Sequence, residues 1–136
     1  TERIIELLEG GKFHAQLHAV LLDGIAFAGF NVVDLPRLAE RLDRPCIAVM
    51  RNHPDFEAID AALEHVDRAE AKRRRIRRAG EVHEASSALL QVHGCEPETA
   101  VRLVDRLSVD GHVPEPLRLA HLVASAVATG ESGRRA

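Results

Sequence analysis

The stretch LHAVLLDGIAFAGFNVVDLPRLAERLDRPCIAVMR, Leu17 to Arg51, decides the fold. At its start, Ala19 to Leu22 form an almost entirely apolar run that closes on Asp23-Gly24. Continuous apolar character without alternation predicts a central strand buried on both faces. A loop, Ile25 to Asn31, leads to a helix near 34–42, where Asp34 can cap and Pro36 sits in the first turn. Pro45 then introduces a second apolar strand, CIAVM, ending at Arg51. Two buried strands separated by a helix make a βαβ unit. The class is therefore α/β with a largely parallel sheet. Ligands gather at the carboxyl ends of such strands, and Asp23 and Arg51 both stand there.

Outward from this unit the chain is helical again. Residues 2–9 read as an amphipathic helix stopped by Gly10-Gly11. The first residue is Thr1, so the periodicity opens with no preceding element, as in a fragment of something longer. Between 55 and 79 the pattern is helical, with Phe56, Ile59, Ala62, Leu63 and Val66 on one face. The basic run continues on the same or a second helix, and Gly80 breaks it. Residues 81–93 predict a hairpin, with EVHEA and ALLQVH on either side of Ser86-Ser87. Helices over 97–107 and 116–128 follow, divided by SVDGHVPEP, and the tail GESGRRA is expected to fray.

The chain has 136 residues and 14.9 kDa, the size of one domain spanning 1–136. It is 46% hydrophobic and 29% charged, a globular balance. No apolar run approaches the roughly 20 residues of a membrane span, and no signal peptide opens the chain. Cys46 and Cys95 suit a reducing cytosol and a cytoplasmic location rather than a disulfide framework. A membrane protein and a small secreted scaffold are excluded.

Charge is unevenly distributed. Eighteen basic and 21 acidic side chains give −3, but KRRRIRR holds six bases and no acid: Lys72, Arg73, Arg74, Arg75, Arg77 and Arg78. That asymmetry points to an anionic partner, nucleic acid above all, with a solvated helix face as the plain alternative. Extensive base stacking is not expected. With no Trp or Tyr, only Phe13, Phe27, Phe30 and Phe56 could serve as platforms.

Asp23 is the sharpest chemical residue. A carboxylate at a strand tip before a glycine-containing loop can hold a hard cation such as Mg²⁺, although Asp-Gly pairs also simply make turns. The loop Gly24 to Gly29 lacks the Lys and Ser/Thr of a phosphate-binding loop. His14 and His18 have no third ligand in sequence reach. Cys46 reads as core packing, and Cys95 has no assigned chemistry. In VPEPLRLAH, prolines flank Glu115 and put Pro116 at the first position of a helix. Arg118 and His121, three apart, share a face near its N-terminus.

The order DGIAFAGFN, RPCIAVMR, GHVPEPLRLAH resembles an archaeal family of unknown function related to endonuclease V, over essentially the whole chain. The resemblance implies a ribonuclease H-like mixed sheet flanked by helices, and Mg²⁺-dependent phosphodiester cleavage. On that likeness Asp23 would bind the metal, and His121 would support it from the last helix. Arg51 and Arg118 would meet phosphate. Glu2 is the nearest candidate for the family's upstream catalytic Glu. The basic run would track the backbone of DNA or RNA.

The family's first catalytic Asp lies on an N-terminal strand with no counterpart here. A phosphodiesterase of this class needs two or more carboxylates. A non-catalytic interaction module that keeps the scaffold is therefore the competing expectation. A small-molecule enzyme on a doubly wound fold would need a dinucleotide fingerprint that is absent. The strand before Asp23 should have neighbours on each side, with 46–50 covering one edge and the 81–93 hairpin extending that side. The other edge is expected to be covered by an N-terminal strand segment not in this chain, or by a second copy in a homodimer.

Overall fold

The computed structural model describes residues 1–27, 30–109 and 113–130. The tail from 131 onwards therefore lies outside the described residues, as do Ala28, Gly29 and the segment Asp110 to His112. The strands are β1 (Val20–Asp23), β2 (Ala26–Phe27), β3 (Asn31–Val32), β4 (Cys46–Met50), β5 (His83–Glu84) and β6 (Leu89–His93). The helices are α1 (Glu2–Glu9), α2 (Leu35–Leu42), α3 (Phe56–Leu63), α4 (Ala69–Arg78), α5 (Pro97–Leu107) and α6 (Glu115–Thr129). A short 3₁₀ turn spans His14–Gln16.

The main sheet has the order β1-β4-β6-β5. β1 and β4 pair in parallel, Val20 opposite Cys46 and Asp23 opposite Val49, so the βαβ unit forms as expected. β4 with β6 and β6 with β5 are antiparallel. The sheet is mixed, which corrects the expectation of a largely parallel one. The reason lies in the connection: β4 and β6 are joined by α3, α4 and a reversing hairpin rather than by a second crossover onto the sheet.

β4 shows why its sequence is apolar throughout. Cys46 and Ala48 face a core with Leu35, Leu38, Leu42 and Ile5, from α2 and α1. Ile47 and Val49 face the opposite core with Leu90, Ala100, Val104 and Leu117, from β6, α5 and α6. Both faces are thus covered, in three layers. Each fully buried Leu contributes about 1.5–3 kcal/mol relative to an exposed one. Cys46 is core, as its place in the apolar run implies.

Within this chain β1 is covered on one edge by β4, with the hairpin strands beyond it, as expected, although it is less buried than its apolar sequence implies. Leu22 is buried, Val20 and Leu21 are half-buried, and Asp23 is exposed. Among the described residues β1 pairs only with β4, so it is an edge strand. The loop after Gly24 also contains the two-residue strands β2 and β3, paired antiparallel. The helical pattern of 55–79 is split in two: Asp55 caps α3, and Arg68, at φ 58°, separates it from α4. Such a left-handed residue is usually Gly or Asn, so no sequence signal marked the break. α6 begins one residue early, which puts Pro116 at its second position. Its outer side chains Leu119, Val123 and Val127 are 49%, 65% and 84% exposed.

Candidate nucleic-acid interface and strand-end site

Asp23 ends β1, and the chain turns at once. Gly24 adopts φ 73°, and its amide donates to Val49 O at 2.9 Å. This left-handed turn needs glycine, so Asp-Gly does form a turn. The carboxylate is left exposed at the carboxyl end of the parallel pair, with Arg51 exposed just beyond the end of β4. The shared end of two parallel strands is the place predicted for both residues.

The other residues expected beside Asp23 are held elsewhere. Arg118 forms a forked ion pair with Glu115 within the first turn of α6. That pairing holds the Glu115 carboxyl below its ordinary range. His121 is exposed one turn further on. Neither residue makes a hydrogen bond or ion pair with Asp23. Glu2 pairs with Arg37 of α2 at 3.2 Å and so ties α1 to α2. Its carboxyl is held low mainly by a backbone hydrogen bond, with Arg37 adding a smaller effect. Among the described residues, no group of three or more His, Cys, Asp or Glu side chains is placed to hold a metal ion. One exposed carboxylate does not make an Mg²⁺ donor set, which takes several oxygens. The described residues do not by themselves fit the metal that the resemblance implies.

The basic run divides by partner. Arg75 Nη1 donates to Val32 O at 3.1 Å, and Arg78 Nη1 donates to Asp34 Oδ2 at 2.6 Å. Arg73 pairs with Asp60 of α3 and Glu70, which raises its own pKa. These three arginines anchor α4 to β3, to the start of α2 and to α3. Lys72, Arg74 and Arg77 make no side-chain hydrogen bond or ion pair with any described residue, and Arg74 and Arg77 are exposed. Arg74 and Arg77 are three apart and share one helix face. Sequence alone could not separate the two sets, because Arg75 and Arg78 reach partners 43 and 44 residues away.

Two hollows adjoin α4. An open groove is lined by Phe56, Ile59, Arg73, Ile76 and Arg77 among others. A more closed cavity of about 200 Å³ lies between the strand ends and α3–α4, with Gly24, Ile25, Phe30, Phe56, Ile76 and Gln91 in its wall. Gln91 carries no motif, and its importance is visible only in the fold. It is a buried polar residue at 2% exposure, on the sheet face opposite the α5 layer.

Comparison with known proteins now decides the family. The family model described as Endonuclease dU matches residues 1–128. The chain belongs to the endonuclease dU family. Within the range of its relatives, a UPF0215 protein of Methanothermobacter thermautotrophicus is 45% identical, over 97% of this chain and 67% of its own length. Another, from Archaeoglobus fulgidus, is 37% identical over all of this chain and 75% of its own length. The crystal structure of a protein of unknown function from Archaeoglobus fulgidus superposes with a TM-score of 0.89 at 36% identity. That match covers 93% of this chain and 73% of the other. The resemblance to an archaeal family of unknown function is thereby shown. Among the described residues, no helix is long and apolar enough to cross a membrane.

Proposed function

We propose that this member of the endonuclease dU family binds nucleic acid through the outer face of α4, on a ribonuclease H-like sheet whose strand ends carry Asp23 and Arg51. The observation that carries the reading is the division of the basic run. Arg73, Arg75 and Arg78 hold the helix in place, while Arg74 and Arg77 are exposed side chains without a partner among the described residues. Arginines on a moored helix cost less backbone entropy to bring to phosphate than a floppy basic tail, and phosphate contacts give affinity without sequence preference. Arg51, exposed and without a side-chain partner among the described residues, is positioned to add a further phosphate contact. Arg118 contributes less, because Glu115 already occupies it.

Phosphodiester hydrolysis, the chemistry that the family's name carries, needs donors beyond Asp23. The described residues do not bring them there. That same observation favours a second reading, a module that grips nucleic acid without cutting it. Binding is tested by fluorescence anisotropy with a labelled oligonucleotide across a salt series. Binding that weakens steeply with salt, with a shallower slope after Arg74→Gln and Arg77→Gln, supports the proposal. Salt-independent binding, or none, overturns it.

A further inference from the structure

We infer that the hollow between the end of β4 and the Ser86-Ser87 turn binds a dianionic phosphate group, to which Arg51, Asn52, His53 and Ser87 donate. A phosphorylated strand end and free inorganic phosphate both present such a group. For a strand end the inference deepens the nucleic-acid reading and rests on it; for free phosphate it stands apart.

The sheet register creates the hollow. Met50 and Leu89 are the last pair of the β4–β6 ladder. Beyond them the two segments separate: β4 runs on into Arg51, Asn52 and His53, and β6 is entered from Ser87 and Ala88. The space between, about 320 Å³, is lined by residues of both segments and by Glu84. That volume is roughly ten waters, enough for one phosphate group and the sugar that carries it.

Ser87 is the sign of a missing partner. The turn that holds it is fixed, because the Ala85 amide donates to Ala88 O at 2.8 Å. Ser86 is tied to Asp105 of α5 through both its amide and its hydroxyl, each at 3.0 Å. In this ordered turn Ser87 Oγ is buried and has no hydrogen-bond partner among the described residues. A buried hydroxyl left unpaired is destabilising. Rotation about its one side-chain torsion breaks no bond, and an oxyanion in the hollow accepts from it.

The facing wall supplies the charge. Arg51 and Asn52 are exposed and have no side-chain partner among the described residues. The Arg51 guanidinium is a fork that matches two oxygens of one phosphate. Asn52 and His53 add further N–H donors. Glu84 is the one acid among the described lining residues, 3.9 Å from His53 Nε2, and its exposure lets solvent screen it. Four donor side chains suit a terminal phosphate, with three free oxygens and nearly two charges. An internal phosphodiester offers only two free oxygens and one charge, which suits the separate arginines of α4.

An amide-resolved NMR titration with inorganic phosphate should give saturable shifts confined to 51–53 and 84–88. Fluorescence anisotropy then compares single strands, labelled at an internal base, that end in a 5′-phosphate, a 3′-phosphate or hydroxyls alone. A phosphorylated end should bind about tenfold more tightly than a hydroxyl end. Arg51→Gln should remove that preference, and Glu84→Gln should enlarge it. Ser87→Ala should reduce it while melting no lower than the wild type, because the unpaired hydroxyl is gone. Arg74→Gln should weaken every strand alike and leave the preference intact. Saturable shifts with equal affinity for every end assign the site to free phosphate. Equal affinity without such shifts overturns the inference and leaves the α4 reading standing. If no strand binds, the α4 reading falls, and the phosphate titration alone decides this site.

Discussion

Arg78 reaches Asp34 Oδ2 at 2.6 Å while the other carboxylate oxygen of Asp34 accepts from the Arg37 amide at 3.3 Å. One side chain thus caps α2 and moors α4. The Asp34 backbone amide is also engaged, donating to Thr1 Oγ1 at 2.9 Å. The side chain of Asp34 is only 11% exposed, so little water replaces either contact.

Asp34→Asn keeps an N-cap acceptor and loses the ion pair, whereas Asp34→Ala loses both. The expected costs are about 1 kcal/mol for Asn and about 2–3 kcal/mol for Ala. Urea unfolding of the three proteins measures the order. An Asn variant as unstable as the Ala variant would show that the cap contributes nothing.

Arg75 and Arg74 are neighbours in sequence with opposite roles. Arg75→Gln removes the bond to Val32 O and should cost about 1 kcal/mol of stability while leaving the salt slope of oligonucleotide binding unchanged. Arg74→Gln should do the reverse, lowering the slope by about 0.7 for a single strand at no cost in stability. Equal slopes for the two variants would contradict the division of α4.

Burial pushes the Cys46 thiol up to about 12 from its ordinary value near 9, with a smaller contribution from Cys95. Below pH 9 the thiol is protonated whether the chain is folded or not, and the folded state keeps its full advantage. As pH rises from 9 towards 12, only the unfolded chain loses the proton. Stability should then fall by up to about 1.4 kcal/mol per pH unit. Thermal melts over this range should show a steeper alkaline loss in the wild-type chain than in Cys46→Ala. Parallel curves would exclude the thiol as the cause.

The β1 edge and the outer side of α6 should make the chain associate as its concentration rises. An unpaired strand edge and a row of exposed apolar side chains each favour contact with a second surface. Val123→Lys with Val127→Lys should weaken that association while leaving the melting curve in place, since both positions are exposed. Sedimentation equilibrium decides the matter, and a wild-type monomer at every concentration would refute it.

The sequence was most legible where burial imposes a pattern. CIAVM is apolar at every position because both of its faces are covered, and that made β4 and its parallel partner readable. At β1 the same reasoning predicts one covered and one open edge within this chain, and among the described residues the strand pairs only with β4. β2 and β3, with two residues each, are too short to carry any periodicity. The turn at Asp23-Gly24 is visible as a dipeptide, and the Glu115–Arg118 pair is readable from its spacing of three on one helix. Gln91 looks like any polar residue in a hairpin strand, because only the packed sheet puts it in the wall of a cavity that Phe30 and Phe56 also line.

β4 and β6 lie side by side although α3 and α4 intervene between them in the chain. The two helices are therefore an excursion from the sheet, fastened back by Arg75 and Arg78. Lengthening such an excursion adds little closure entropy, only about 0.6 kcal/mol for each doubling. The surface of α3 and α4 can consequently diverge in length and charge while the strand ends stay in register. Excursion and scaffold are free to evolve at different rates.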